Sequence, residues 1–330
     1  MNSDTPQQRR ARRAVLDHLL ALLADSPWAD ALVLRGSAVL PAWLGPAARE
    51  PADLDWIVLP PAFVPVDELD PYPYLPDLAP VRLWPEAAHG AGAHEMWRFE
   101  DFTTRGLRAH LPPEGLNWAP AVEPEDEGPH LFLRDLVERH PQAAPGVRLD
   151  PGSVEDGGGW SYEFDREPDR DCADDRPGVR VALRWTAEGT GGGEVTIDFA
   201  RDERLPEPPV RTAVPRGDGT GATAVRTASR ELSLAWKLLW LHADGERARA
   251  KDLYDAVLLA ELCADTLAPA LLRRVLAREP GHPGTLRPDD LTVPPADWEA
   301  LRAAHPGLRG GADAWLARLR TALAPLTRAD

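Results

Sequence analysis

The hydrophobic pattern along the chain predicts a protein that contains both helices and strands. Apolar residues recur at helical spacing over residues 9–26, which predicts an N-terminal helix. Residues 31–59 contain two short apolar runs, and the segment between them is long enough for one short helix. This stretch is therefore predicted to form a strand, a turn, a helix and a second strand, with the N-terminal helix covering the first strand.

Two more strands are predicted near the middle of the chain, over Val179–Thr186 and Val195–Ala200. The glycine-rich residues 189–193 between them predict a turn, so we expect the two strands to pair antiparallel. A glycine run also occurs in phosphate-binding loops, but neither a Lys-Ser pair nor a helix start follows this one. His130–His140 has the pattern of a helix.

The remaining sequence divides into an irregular part and a helical part. Residues from Pro60 to about Pro129 are rich in proline and acidic residues, and tryptophans are spaced through them, which predicts ordered but irregular structure. These tryptophans are Trp84, Trp97 and Trp118. From Ala228 onward the pattern is helical, with proline-rich breaks near 279–295.

These patterns predict two domains. The first is a core over residues 1–226, with an insertion at about 60–175, and the second is a helical domain over residues 227–330. A chain of 330 residues is long enough for two domains or for one large one.

Composition narrows the classes of function. The formal net charge of −16 disfavours a wide nucleic-acid-binding surface, because phosphate backbones require cationic patches. The two cysteines, Cys172 and Cys263, lie far apart and predict neither a metal site nor a disulfide framework. We find no apolar stretch of membrane-spanning length and no signal peptide, so we expect a cytoplasmic protein that does not enter a membrane.

Two aspartates at the start of the second strand form the main candidate site. Asp53 and Asp55 are two residues apart and therefore point to the same face of the strand. Adjacent carboxylates repel each other unless a cation lies between them, and their hard oxygen atoms suit Mg²⁺. A lone D-x-D pattern is often structural. The preceding turn at Gly36-Ser37, where backbone N–H groups can approach a phosphate, favours a site for a metal-bound nucleoside triphosphate.

Asp198 is a further acidic candidate, because it is a single charge within the apolar strand at 195–200. One interpretation makes Asp198 the third carboxylate of the metal site. The other pairs it with Arg180 or Arg184 on the neighbouring strand.

Lysine is scarce in this chain, since Lys237 and Lys251 are the only two lysines among 37 basic residues. Lys237 lies in an almost wholly apolar helical segment at 232–241, on the same face as Ser233. A buried ammonium group needs an anionic partner, and we expect either a triphosphate or the aspartate cluster to provide it. The argument is weaker for Lys251, which lies among arginines.

The order of these motifs resembles the AbiEii/AbiGii toxin family of nucleotidyltransferases. The similarity covers roughly residues 30–60 and 176–262. The matching positions are Leu34-Arg35-Gly36-Ser37, Arg49, Asp53-Leu54-Asp55, Asp198, Lys237 and Arg249-Ala250-Lys251-Asp252-Leu253-Tyr254-Asp255. The sequence departs from the family pattern at Ser37, Ala38 and Pro51.

The resemblance implies an α+β fold, with a polymerase-β-like core of mixed sheet and flanking helices followed by a helical domain. It also implies transfer of a nucleotide from a nucleoside triphosphate to an acceptor such as tRNA, in a toxin–antitoxin or abortive-infection system with a cognate antitoxin. Metal ions, expected to be Mg²⁺, would be held by Asp53, Asp55 and Asp198.

The remaining candidate residues would bind the nucleotide or take part in the transfer. Nucleotide binding is expected from Arg35, Gly36, Ser37 and Lys237. Catalysis is expected from Asp198, Lys237 and Asp252. Asp252 and Asp255 share a helix face, and we expect Asp255 to pair with Arg249 or another arginine.

Two other functions are compatible with these motifs. One is a nucleotidyltransferase for a small molecule, like the enzymes that modify aminoglycosides, because an acidic surface suits a cationic acceptor. The other is a catalytically inactive subunit that binds a nucleotide. The carboxylates and the retained lysine disfavour it, because both are costly without a ligand.

Overall fold

The computed structural model describes residues 5–26, 28–29, 31–59, 63–65, 118–120, 129–159, 178–200, 205–243, 249–277, 286–305 and 307–327. Most of the segment that is predicted to be irregular lies outside these ranges. The predictions for Trp84, Trp97 and Cys172 therefore also fall outside the described residues.

A nine-stranded mixed sheet organises the described chain. In spatial order its strands are β10 (Val210–Pro215), β11 (Ala222–Thr227), β1 (Leu32–Arg35), β2 (Asp53–Val58), β9 (Gly191–Ala200), β8 (Gly178–Ala187), β6 (Val147–Leu149) and β5 (Gln142–Ala144), and β7 (Glu155–Gly159) also pairs with β8. The pairs β1–β11 and β2–β9 are parallel, and the other pairs are antiparallel. A separate small sheet pairs β3 (Phe63–Pro65) with β4 (Trp118–Pro120).

Helices lie at both ends of the described chain and between strands. They are α1 (Pro6–Ala24), α2 (Leu40–Leu44), α3 (Pro129–Arg139), α4 (Arg230–Ala243), α5 (Ala250–Cys263), α6 (Pro269–Leu276), α7 (Pro295–Ala304) and α8 (Ala312–Thr327). The start of α1 is fixed by a capping box, in which Thr5 and Gln8 satisfy each other's backbone N–H groups. Among the described helices, none combines the length and the apolar character that a membrane crossing needs.

The two faces of the sheet pack against different helices, because successive side chains of a strand point to opposite faces. Leu34, Trp56 and Phe199 belong to a core that also contains the apolar residues of α1 and α3. Val33 and Ile57 belong to a second core, which they share with α4, α5 and the helices that follow. Arg35, Asp55 and Asp198 lie an even number of residues from Val33, Ile57 and Ala200, so they belong to this second face.

Several predictions of secondary structure are confirmed. The N-terminal helix, the helix at 130–140 and the antiparallel pair of strands are present as α1, α3 and β8–β9. The α+β class, the mixed sheet with flanking helices and the helical C-terminal region are confirmed as well. The division into domains at residue 226 stays a prediction.

The glycine-rich turn is shorter than predicted. The turn occupies residues 188–190, and Gly191–Gly193 already belong to β9. These glycines remain in the strand because Gly193 lies beneath the indole ring of Trp185, where an added Cβ atom would be 2.7 Å from a ring carbon. Local composition predicted a turn, whereas cross-strand packing extends the strand.

Five strands of the main sheet were not predicted from the sequence. These are β5, β6, β7, β10 and β11, three of which lie within the predicted insertion at 60–175. The strands β5 and β6 have three residues each, and half of the six residues of β10 are exposed, so their apolar alternation is weak.

Candidate functional site

Four charged residues form a row across four neighbouring strands. Arg35 lies opposite Asp55 across β1 and β2, Asp55 lies opposite Asp198 across β2 and β9, and Asp198 lies opposite Arg180 across β9 and β8. Residues that face each other across strands point to the same side of the sheet. We call Arg35, Asp55, Asp198 and Arg180 the charged row. In it, two carboxylates lie between two guanidinium groups.

Asp198 is held by Arg180 through two hydrogen bonds. Nε of Arg180 donates to Oδ1 of Asp198 and Nη2 donates to Oδ2, each over 2.7 Å. These bonds raise the pKa of the Arg180 guanidinium. The ion pair expected as one role of Asp198 is therefore formed with Arg180, while Arg184 lies opposite Glu194. Metal binding by Asp198 stays a prediction.

Asp53 and Asp55 lie on the same side of β2, as their spacing predicts. The hydroxyl of Ser37 donates a long hydrogen bond of 3.4 Å to Oδ1 of Asp53. Burial and the charge of Asp53 raise the pKa of Asp55 to about 6, although the positive charges of Arg35 and Lys237 lower it. Negative charge is thus concentrated at the start of β2 and only partly compensated.

Gly36 brings the backbone close to the Asp55 carboxylate. Its φ angle is 74°, in the left-handed region that favours glycine. A Cβ atom added at this position would lie 2.1 Å from Oδ2 of Asp55. The turn after β1 therefore needs glycine both for its backbone conformation and for the space beside this carboxylate.

Lys237 is buried between two carboxylates of α5. Its ammonium nitrogen lies 2.6 Å from Oδ1 of Asp252 and 3.2 Å from Oδ2 of Asp255. Burial lowers the pKa of Lys237, but the charges of Asp255 and Asp252 more than offset this effect, so the pKa is raised overall. The sequence predicted that Lys237 needs an anion. The carboxylates that contact Lys237 belong to α5 rather than to the D-x-D pair.

Arg49 connects α5 to the segment that enters β2. Its Nε atom donates to both carboxylate oxygens of Asp255, over 3.1 and 3.0 Å. Arg49 is thus the arginine expected to pair with Asp255, and Arg249 is not its partner in these bonds. The sequence alone marks Arg49 only as a motif position four residues before Asp53, because its contact with Asp255 spans 206 residues.

The chemistry of the donor set at β2 fits a divalent cation. Asp53 and Asp55 offer hard oxygen ligands whose mutual repulsion a cation would relieve. Within the described ranges, no group of three or more His, Cys, Asp or Glu side chains is arranged so that it could hold a metal ion. Asp198 is adjacent in the charged row, but both of its oxygens accept hydrogen bonds from Arg180.

A basic cleft of about 610 Å³ lies beside the segment that leads to β2. Its basic lining residues are Arg9, Arg49, His305, Arg309 and Arg318. Arg318 stacks on Trp315 at 4.2 Å and forms an ion pair with Glu261. The lining therefore has more basic than acidic side chains, with Glu50 as its acidic member, although Arg49 and Arg318 are paired with Asp255 and Glu261.

A match to a known family model shows which family the chain belongs to. The sequence model of the nucleotidyl transferase AbiEii toxin of type IV toxin–antitoxin systems matches residues 151–326, which is more than half of the chain. The chain belongs to this AbiEii family. AbiEii membership makes the protein a nucleotidyltransferase toxin, and it implies a nucleotide substrate and an antitoxin partner.

Among solved structures, this AbiEii protein is similar to MenT4, a nucleotidyltransferase toxin from Mycobacterium tuberculosis H37Rv, with a TM-score of 0.46 and 20% sequence identity. That alignment covers 99% of this chain and 87% of MenT4. No curated protein matches the chain closely enough to count as a relative.

Proposed function

We propose that this toxin transfers a nucleoside monophosphate from a nucleoside triphosphate to a hydroxyl group of an RNA acceptor, with tRNA as the expected acceptor. In this reaction the hydroxyl oxygen bonds to the α-phosphorus, the bond to the bridging oxygen breaks, and pyrophosphate leaves. The proposed setting is the cytoplasm, where a cognate antitoxin would control the activity. The charged row beside the D-x-D pair is the observation that carries this proposal.

The residues at β2 would bind the metal-bound triphosphate. Asp53 and Asp55 are the proposed ligands of a divalent cation, expected to be Mg²⁺, with Asp198 as a third ligand. When bound, the metal would polarise the phosphoryl oxygens and stabilise the charge that develops on them. Arg35, Gly36 and Ser37 would contact the phosphates, because the Gly36 turn brings the backbone close to Asp55.

Lys237 on α4 would present a fixed ammonium group, whose charge the α5 carboxylates Asp252 and Asp255 partly balance. The raised pKa of Lys237 keeps it protonated at neutral pH, so it would stabilise negative charge rather than donate a proton. Asp252 orients the ammonium group through the 2.6 Å contact. Asp198 is the proposed group that receives the proton of the attacking hydroxyl.

The basic cleft favours an RNA acceptor over a cationic small molecule. Guanidinium groups attract phosphate oxygens and repel the ammonium groups of an aminoglycoside. Trp315 is only 6% exposed, and Tyr254 is the partly exposed aromatic residue of the lining. We choose Arg309 and Arg318 to test the acceptor rather than Arg49, because Arg49 holds Asp255 beside Lys237.

The experiment incubates the full chain with each radiolabelled nucleoside triphosphate, Mg²⁺ and total RNA. We expect label in RNA with the native protein and none with the Asp53→Asn, Asp55→Asn double variant. Arg309→Glu with Arg318→Glu should reduce RNA labelling while nucleotide binding, measured by calorimetry, stays unchanged. Label on an aminoglycoside but not on RNA would identify the small-molecule alternative instead.

A further inference from the structure

Arg180 differs from the other cations of the site in its exposure. The side chain of Arg180 is 53% exposed, whereas those of Arg49 and Lys237 are 12% and 6% exposed. Arg35 is also buried. Arg180 can therefore change its partner without opening the core, while moving any of the other three would disrupt packing.

The electrostatic surroundings of Arg180 include all three carboxylates of the proposed metal site. Asp198 binds it directly, and the charges of Asp198, Asp55 and Asp53 all favour its protonated form. The guanidinium group thus acts as a counter-cation for the cluster. It binds both oxygens of Asp198, so a metal ion at Asp198 would have to compete with its positive charge and its hydrogen bonds.

We propose that Arg180 is a positioning residue that exchanges partners during nucleotide binding: it holds Asp198 in the nucleotide-free protein and moves to the phosphate oxygens of the bound triphosphate. The exchange releases Asp198 for metal binding when a nucleotide is present. The inference rests on the proposed function, because it takes Asp198 as a metal ligand.

The physical reason for the exchange is the similar chemistry of carboxylate and phosphate. A guanidinium group forms paired hydrogen bonds with either group. Because Arg180 is largely solvated, its bond to Asp198 is of modest strength, and a triphosphate with its higher charge can compete for it. The cost of leaving Asp198 is offset when a metal ion replaces the guanidinium.

The first arm of the test measures binding of Mn²⁺ alone by calorimetry. The variants are Arg180→Gln, Arg180→Lys and the control Arg184→Gln, which removes the same charge from the same strand. We expect both Arg180 variants to bind Mn²⁺ about two- to fivefold more tightly than the native protein. Arg180→Lys should also gain affinity, because an ammonium group cannot hold both oxygens of Asp198. Adding Asp198→Asn to Arg180→Gln should abolish the gain.

The second arm measures binding of the four α,β-methylene nucleoside triphosphates with Mn²⁺. We expect Arg180→Gln to weaken binding of the preferred analogue about tenfold, since one charge-assisted phosphate contact is lost. The Arg184→Gln control should bind it as the native protein does. Thermal melting of each variant verifies that the fold is intact.

The outcomes separate this inference from the proposed function. If Arg180→Gln and Arg184→Gln change Mn²⁺ affinity equally, or if Arg180→Gln binds the analogue as tightly as the native protein, Arg180 has no such role. In both cases the native protein still binds metal and nucleotide, so the proposed function stands. If the native protein binds neither Mn²⁺ nor any analogue, the proposed function fails and this inference fails with it.

Discussion

The ammonium group of Lys237 on α4 lies 2.6 Å from the carboxylate of Asp252 on α5, and both side chains are buried. Asp255 lies one helical turn further along α5, where it accepts hydrogen bonds from Arg49 and lies 3.2 Å from Lys237. The two carboxylates therefore connect a lysine of the helical region to the segment that enters β2.

Removing the charge of Lys237 should destabilise the protein strongly. Lys237→Met leaves Asp252 without its cation in a buried site, and breaking a buried ion pair costs about 3–5 kcal/mol. We expect a lower free energy of unfolding in denaturant and a loss of nucleotide transfer. Lys251→Arg, a change on the more exposed lysine, should alter the free energy of unfolding by less than about 0.5 kcal/mol. Equal effects at both positions would show that the buried contact contributes little.

Replacing Arg49 with lysine should loosen the segment before β2. A lysine cannot reproduce the two hydrogen bonds that Arg49 donates to Asp255, so we expect a loss of about 1–3 kcal/mol in unfolding free energy. Mn²⁺ affinity should also fall, because the start of β2 carries Asp53 and Asp55. Arg249→Lys is the matched control, since Arg249 is exposed at the start of α5. A stable Arg49→Lys variant with native metal affinity would contradict the prediction.

Gly36→Ala should impair the site beyond the effect of backbone strain. Gly36 and Gly189 share a φ angle of 74°, but nothing lies within 4 Å of a Cβ atom added at Gly189. We expect each alanine variant to lose about 1–2 kcal/mol from the unfavourable backbone conformation. Only Gly36→Ala should also displace the Asp55 carboxylate and lose Mn²⁺ binding. Equal Mn²⁺ affinities for the two variants would argue against the close approach.

Asp55→Asn should stabilise the metal-free protein at neutral pH. The pKa of Asp55 is raised from 3.8 to about 6 on folding. The protonated carboxyl group therefore contributes its full share of the folding free energy below pH 4, and this contribution is lost as the pH rises through 6. Because an asparagine has no charge to bury, the free energy of unfolding of the variant should exceed that of the native protein by about 1–3 kcal/mol at pH 7.5. Denaturant unfolding with EDTA at pH 4 and 7.5 tests this. A variant less stable than the native protein at pH 7.5 would contradict the raised pKa of Asp55.

Asp198→Asn should reduce transfer far more than stability. Its partner Arg180 is 53% exposed and stays solvated after the change, so the expected loss is below about 1 kcal/mol. Transfer should stop, because Asp198 is the proposed third metal ligand and proton acceptor. Melting temperature and label transfer are measured on the same sample. A variant that melts several degrees lower and keeps its activity per folded molecule would assign Asp198 a structural role alone.

The sequence predicts those features of the site that depend on local spacing. A period of two residues places Asp53 and Asp55 on one side of β2, and the apolar surroundings of Lys237 predict a buried cation. The charged row was not predicted as a whole, because it depends on which strands are neighbours and in what register. The contact between Arg49 and Asp255 joins residues that are 206 positions apart, and no local pattern encodes it.

The charged row and the α5 carboxylates also determine when the proposed chemistry can begin during protein synthesis. The row needs Arg35 near the start of the chain and Asp198 more than half-way along it, and Lys237 needs Asp252 and Asp255. Until residue 255 has left the ribosome, the growing chain lacks the carboxylates that hold this lysine. Distant strand pairings also form late in folding, because the chain must close long loops first. The complete site therefore exists only after synthesis has passed residue 255.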